Sequence, residues 1–140
     1  MKRLLDVSDL RVMFHTYRGT IKALNGVRLW LNKEERLGIV GETGCGKSVS
    51  ALSIMRLIDP PGEITHGEVV FEGLDLLKIS EEEMDKSVRG KKISMIFQEP
   101  VSALNPIFKV GFQIAEAIAH SNDISMDEKK KKVPESLEMV

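Results

Sequence analysis

Cysteine is almost absent from this chain. A single one, Cys45, occurs in 140 residues, so no internal disulfide can form, and such usage fits a reducing compartment. Long apolar runs are missing too: no window approaches the roughly 18 uninterrupted apolar residues of a membrane-spanning helix. The opening MKRLLDVSDLRVMF is basic at its start, but Asp6, Asp9 and Arg11 interrupt what a secretion signal would need as its apolar stretch. Excess charge of one sign is lacking. The 20 Lys and Arg against 21 Asp and Glu give a net charge of −1, which removes the electrostatic ground for nucleic acid as the main partner. There are no internal repeats and no low-complexity linker. These absences lead to the expectation of a cytoplasmic chain. What is present is ordinary globular usage, 42% apolar and 29% charged, in a length that suits one domain or part of one.

The first third reads as strands. Apolar residues alternate loosely over 4–14, at Leu5 and Val7 and then at Leu10, Val12 and Phe14. They do so again over 21–31, at Leu24, Val27, Leu29 and Leu31, with Tyr17-Arg18-Gly19-Thr20 as the turn of an antiparallel pair. The compact run Leu37-Gly38-Ile39-Val40 predicts a strand buried on both faces, as in a parallel sheet. After Lys47 the period becomes helical through Val49, Leu52, Ile54, Met55 and Ile58, and Asp59-Pro60-Pro61-Gly62 stops it. Residues 68–72 predict a short strand and 92–98 another. Ser80-Glu81-Glu82-Glu83 and Ser125-Met126-Asp127-Glu128 are capping boxes that open helices, and 110–119 is amphipathic and helical. Pro134 would cost about 3 kcal/mol inside a helix. The charge runs over 81–92 and 127–138 each hold four acids and four bases, so each cancels locally and reads as a solvated helix face.

Chemistry concentrates in one segment. Gly41-Glu42-Thr43-Gly44-Cys45-Gly46-Lys47-Ser48 satisfies the pattern of glycine, four free positions, glycine, lysine and Ser or Thr. Gly41, Gly44 and Gly46 let the backbone curl so that successive N–H groups face phosphate oxygens. Lys47 brings an ammonium between the β- and γ-phosphates, and the Ser48 hydroxyl can ligate Mg²⁺. The expected strand before the loop and helix from Val49 after it supply the context that motif requires, with the positive helix end aimed at the anion. The loop residues 41–49 are therefore the expected nucleotide contacts. His15, His66 and His120 have no ligand-like spacing with Cys45 or with one another, which argues against a metal site built from side chains.

A phosphate loop alone does not separate kinases, GTPases and transport ATPases. The segment Ile93-Ser94-Met95-Ile96-Phe97-Gln98-Glu99-Pro100, a strand ending in glutamine some fifty residues on, resembles the Q-loop of ATP-binding cassette (ABC) ATPases. Val101-Ser102-Ala103-Leu104-Asn105-Pro106, then Val110-Gly111 and Gln113-Ile114-Ala115-Glu116, is similar to the oligopeptide, dipeptide and nickel importer subfamily. So is the loop ending GETGCGKSVS over 41–50. The resemblance covers essentially the whole chain and implies ATP and Mg²⁺ as cofactors. It matches Tyr17 to the aromatic position that stacks on adenine, with Phe14 as a fallback that reads more as core. It matches Gln98 to the residue that reaches Mg²⁺ and the attacking water, so Lys47 and Gln98 become the catalytic candidates, and Ser48 and Gln98 the metal contacts.

The resemblance implies an α/β P-loop core to about residue 98, an antiparallel β-subdomain within it, and the start of a helical subdomain over about 99–140. It further implies two membrane permease subunits, a second ATPase subunit and, indirectly, a solute-binding protein as partners. The place would be the inner face of the cell membrane. The family's LSGGQ-like signature, its apolar strand ending in Asp-Glu and its switch histidine are not in these 140 residues; His120 matches neither the position nor the context of the last. The expectation is an N-terminal half, with an incomplete sheet, that binds Mg-ATP without hydrolysing it. The uncapped apolar end at Leu137, Met139 and Val140 reads as a cut within an element. An ABC ATPase of DNA maintenance, a small nucleotide kinase and an inactive truncated product stand as the alternatives. The transported solute stays open among oligopeptide, dipeptide, nickel and a short sugar.

Overall fold

The alternating N-terminal residues build a long hairpin. In the computed structural model, which describes residues 3–98, 104–121 and 126–139, strand β1 (Arg3–Thr16) pairs antiparallel with β2 (Gly19–Asn32). Strand β3 (Gly62–Phe71) adds to the other side of β1, and the two-residue β4 (Leu74–Asp75) completes an open sheet in the order β2-β1-β3-β4. Helix α1 (Lys47–Ile54) lies between β2 and β3 in sequence. The chain divides into two compact units, Met1–Ser80 and Glu81–Val140. The second holds α2 (Glu81–Ser87), α3 (Val110–Ser121) and α4 (Met126–Glu138). No helix among the described residues is long and apolar enough to cross a membrane.

The loose alternation of β1 has a structural cause. Val7 is buried, and so are Leu10 and Val12, which places the apolar phase on odd residues before Ser8 and on even ones after Asp9. A strict strand period of two cannot do this. The pairing slips between Val7 and Leu10 against β2 and between Ser8 and Arg11 against β3, and Asp9 takes φ 47°. This is a β-bulge that re-aims the second half of the strand into the core. Gly67 of β3 (φ +118°) admits it, since a Cβ there would lie 2.7 Å from Leu10 Cα. The Asp9 carboxylate accepts from Arg11 Nη2 at 3.0 Å and lies 3.2 Å from His66 Nε2, fixing the bulge from outside. The rest of this core is Leu24, Met55, Val69, Phe71 and Leu76, each contributing about 1.5–3 kcal/mol by burial. Phe14 is half-buried, its ring edge 2.6 Å from where a Cβ on Gly62 would stand.

Helix α1 stops at Ile54 and not near Ile58. Arg56 adopts φ 53°, its N–H bonds Ser53 O at 3.0 Å, and Leu57 N–H bonds Leu52 O at 2.8 Å. That pair of bonds is a Schellman end with arginine in the left-handed position usually filled by glycine. The conformation costs about 1–2 kcal/mol for a residue with a Cβ. The Arg56 guanidinium offsets it by donating to Leu76 O at 3.1 Å and Ile79 O at 2.8 Å.

In the second unit, α2 begins directly after Ser80, as its capping box predicts, with Glu81, Glu82 and Glu83 in the first turn and Lys86 in the last. Arg89 closes this helix on Asp85 at 2.6 Å and Glu81 at 2.8 Å. Burial pushes its guanidinium down, and the two carboxylates more than restore it. Helices α3 and α4 pack as a pair where Gly111 faces Val133. Pro134 sits inside α4, which runs through it. The second capping serine, Ser125, lies outside the described residues.

Two expected strands are corrected. Residues 37–40 form no strand; Leu37 and Ile39 are half exposed and Val40 is 95% exposed. Residues 92–97 show one isolated parallel bridge, Arg89 to Ile93, and no strand, with Ile96 97% exposed. Both segments have the residue type of a buried parallel strand. A strand, however, exists only when neighbouring segments accept and donate its hydrogen bonds along its length, and among the described residues no ladder forms along either one. The parallel part of the expected sheet is therefore not formed, while the antiparallel part is.

Candidate nucleotide-binding loop

The loop over 41–48 leads into α1, and β2 supports it from beneath. Gly46, the residue before the helix, takes φ 97° and ψ 3°. A Cβ at Gly46 would lie 2.7 Å from Leu24 Cδ2 and 3.1 Å from Ala23 O, so both the conformation and the space require glycine here. Gly44 takes φ +82° with nothing within 4 Å; there conformation alone decides. Gly41 has an ordinary φ, but the Cys45 sulfur stands 2.6 Å from where its Cβ would be. Glycine thus suits the three positions for three different reasons.

Lys47 folds back into the curve the glycines make. Its ammonium donates to Gly41 O and Glu42 O, each at 2.7 Å, and approaches Cys45 Sγ at 3.4 Å. These contacts hold a full positive charge at the centre of the loop. The Cys45 N–H bonds Glu42 O at 3.3 Å, and Ser50 secures the helix start by donating from both N–H and Oγ to Gly46 O, at 2.8 and 3.0 Å. Helix α1 has no acidic residue in its first turn and no side-chain cap at Gly46. Its first N–H groups therefore face the loop without a competing side-chain acceptor. Glu42, Thr43, Cys45 and Ser48 are exposed, and Val49 is half-buried. A positive helix end, a central ammonium, backbone set by glycine and an adjacent hydroxyl fit a polyphosphate with its Mg²⁺.

Tyr17 projects from the β1–β2 turn and is 90% exposed. The turn is tied by Thr16, whose Oγ1 donates to Gly19 O at 2.8 Å and accepts from Arg18 N–H at 3.3 Å. The same hairpin carries Tyr17 at its tip and presses Ala23 and Leu24 against Gly46, so one element positions both candidate contacts. Gln98 is exposed and belongs to the second unit. Glu99 lies outside the described residues. Leu24 and Ala23 are the structural supports that sequence reasoning missed. Leu24 was visible as an apolar strand residue, but nothing local shows that it faces Gly46.

The model of the family described as ABC transporter matches residues 24–140. The oligopeptide transport ATP-binding protein OppD of Bacillus subtilis is 51% identical over 139 residues, covering 99% of this chain and 38% of that protein. The dipeptide transport ATP-binding protein DppD of the same organism is 44% identical over 141 residues, covering 100% of this chain and 42% of that protein. The chain thus spans about two fifths of the length of these curated relatives. Among solved structures, the dimeric post-hydrolysis state of the ATP-binding cassette MJ0796 bound to ADP and Pi superposes with a TM-score of 0.82 at 24% identity. It covers 96% of this chain and 56% of that one. That likeness shows the fold, an α/β ATP-binding cassette of which this chain carries the open antiparallel sheet and the loop.

Proposed function

This chain belongs to the ABC transporter family, and from that premise we propose that it is the nucleotide-gripping part of an ATPase subunit that energises uptake of peptides or related small solutes. The observation that carries the proposal is the Lys47 ammonium held inside a glycine-shaped loop at the start of α1. Loop N–H groups over 41–49 and Lys47 would bind the polyphosphate of ATP, Ser48 and Gln98 would hold Mg²⁺, and Tyr17 would carry the adenine ring. When bound, the metal would neutralise part of the phosphate charge. Residues to about 98 form the core and β-subdomain of the cassette, and 99–140 begin its helical subdomain. The peptide-class solute is supported by the relatives, which are oligopeptide and dipeptide transport ATP-binding proteins. The partners of such a subunit are two permease subunits and a second ATPase subunit, at the inner face of the membrane, with a solute-binding protein acting through the permeases.

Binding and turnover separate in this proposal. Lys47, Ser48 and Gln98 address the phosphates and the metal, whereas a positioned water needs a carboxylate, and the resemblance assigns none among these residues, Glu99 included. The 140 residues bind Mg-ATP and release no phosphate. Isothermal titration of the purified chain with Mg-ATP and with inorganic tripolyphosphate tests the first part. Lys47→Ala should weaken both ligands by about ten- to hundredfold, the equivalent of a charge-assisted contact of about 1.5–3 kcal/mol. Tyr17→Ala should weaken ATP alone. Unchanged affinity in Lys47→Ala would refute the site, and phosphate release by the parent chain that Lys47→Ala abolishes would refute the lack of turnover.

A further inference from the structure

The Tyr17 ring is exposed on both faces, and a cation stands over one of them. The Arg18 guanidinium carbon stands 5.1 Å from the ring centroid, within the roughly 6 Å over which a cation is held by the ring quadrupole. Adjacent residues in a turn do not do this by default. Here the Thr16 hydroxyl fixes the Arg18 backbone and Gly19 (φ +124°) closes the turn. Below the turn, His15 ties the hairpin to β3: its ring bonds Thr20 Oγ1 at 3.2 Å and Glu63 Oε1 at 2.9 Å, and its N–H bonds Pro61 O at 3.0 Å. The hairpin end is therefore braced, and what is left to the ring is rotation about its own two side-chain torsions.

We propose that Arg18 is a positioning residue for the nucleobase, holding the Tyr17 ring by one face so that the opposite face is presented to a purine. The inference rests on Tyr17 being the adenine platform. An exposed tyrosine with no neighbour samples several rotamers, and ordering it on binding weakens the complex. A guanidinium on the far face limits that sampling beforehand and leaves a flat surface of the right polarity for a stacked base. Arg18 then affects ligands that carry a base and leaves the grip on phosphate alone.

The test compares Mg-ATP with inorganic tripolyphosphate on the full chain by isothermal titration, using Arg18→Met, Arg18→Lys and Tyr17→Ala. Arg18→Met keeps an unbranched, largely apolar stem and removes the cation. It should weaken ATP by about two- to fivefold, the range of an exposed cation–π pair, with tripolyphosphate unchanged. Arg18→Lys should recover most of that loss. The chain has one tyrosine, so selective tyrosine labelling reads the ring directly by NMR: its aromatic signals should move on Arg18→Met before any nucleotide is added. If Tyr17→Ala selectively weakens ATP but Arg18→Met does not, the inference fails and the adenine platform stands. If neither substitution affects ATP, the platform itself is wrong and the inference falls with it. Equal weakening of both ligands by Arg18→Met would make its role merely structural and overturn the inference as well.

Discussion

Alanine placed in turn at the three loop glycines should give three different results. At Gly44 the backbone is left-handed and the space around a new methyl is open. The conformational cost of about 1–2 kcal/mol is partly offset by the roughly 0.4–1 kcal/mol gained from a stiffer unfolded chain, leaving about 1 kcal/mol. At Gly46 the same conformational cost is joined by a methyl 2.7 Å from Leu24 Cδ2 and 3.1 Å from Ala23 O. The leucine tip can shift, but the carbonyl belongs to a paired strand, so overpacking of about 1–3 kcal/mol adds and the total is about 2–4 kcal/mol. At Gly41 the φ is ordinary and the clash is with the Cys45 sulfur, the movable end of an exposed side chain. Stability should scarcely change there, but the displaced sulfur leaves its contact with Lys47, and nucleotide binding should suffer more than folding. Urea unfolding followed by circular dichroism measures this: with a slope of about 1–3 kcal/mol per molar, Gly46→Ala should lower the midpoint by about 1–2 M, Gly44→Ala by well under 1 M, and Gly41→Ala by almost nothing. Equal destabilisation at Gly44 and Gly46, or a Gly46→Ala chain that unfolds with the parent, would refute the claim that β2 supports the loop.

Arg56→Gly would place the residue best suited to the left-handed position after α1, yet it should destabilise the chain by about 1–3 kcal/mol. It loses the guanidinium bonds to Leu76 O and Ile79 O, and a more stable variant in urea would show that backbone strain dominates there. Burial raises the Asp75 carboxyl, but bonds from Lys78, Leu77 N–H and Val69 N–H and the Lys78 charge bring it below its ordinary value. A lowered folded pKa means stability that is present above about pH 4 and is lost as pH falls through the folded pKa. Asp75→Asn should therefore be less stable than the parent by about 1 kcal/mol at pH 7, with the gap closing below about pH 4; a gap constant down to pH 2 in urea titrations would contradict the assignment. Alkylation of the exposed Cys45 thiol should block Mg-ATP, and saturating nucleotide should slow alkylation; labelling at one rate with and without nucleotide would mean the loop does not wrap the phosphates.

Much of the molecule was legible because its causes are local. Three glycines, a lysine and a serine at fixed offsets set up an anion-binding loop wherever a helix follows, and Ser80 with Glu83 marked the start of α2 within one residue. The apolar phase of the hairpin was legible as well, including its slip between Val7 and Leu10, although the bulge that explains the slip needed β2 and β3 on either side. The end of α1 was not legible. Its stop signal is an arginine in a glycine position, stabilised by carbonyls twenty or more residues away, and no local rule anticipates that.

Residue type alone determined that 37–40 and 92–97 are competent to be strands. Tertiary structure decided that they are not strands here, because sheet hydrogen bonds are made between segments and, among the described residues, 37–40 joins no sheet and 92–97 makes one isolated bridge. The same distinction runs through the loop. Sequence determined that Gly41, Gly44 and Gly46 would let the backbone curl and that Lys47 would supply the charge. Only the fold decided that β2 stands beneath Gly46, since that depends on which surface the hairpin brings to the loop, whereas the curl of the loop sets the Cys45 sulfur over Gly41 and the turn sets the Arg18 guanidinium over the Tyr17 ring.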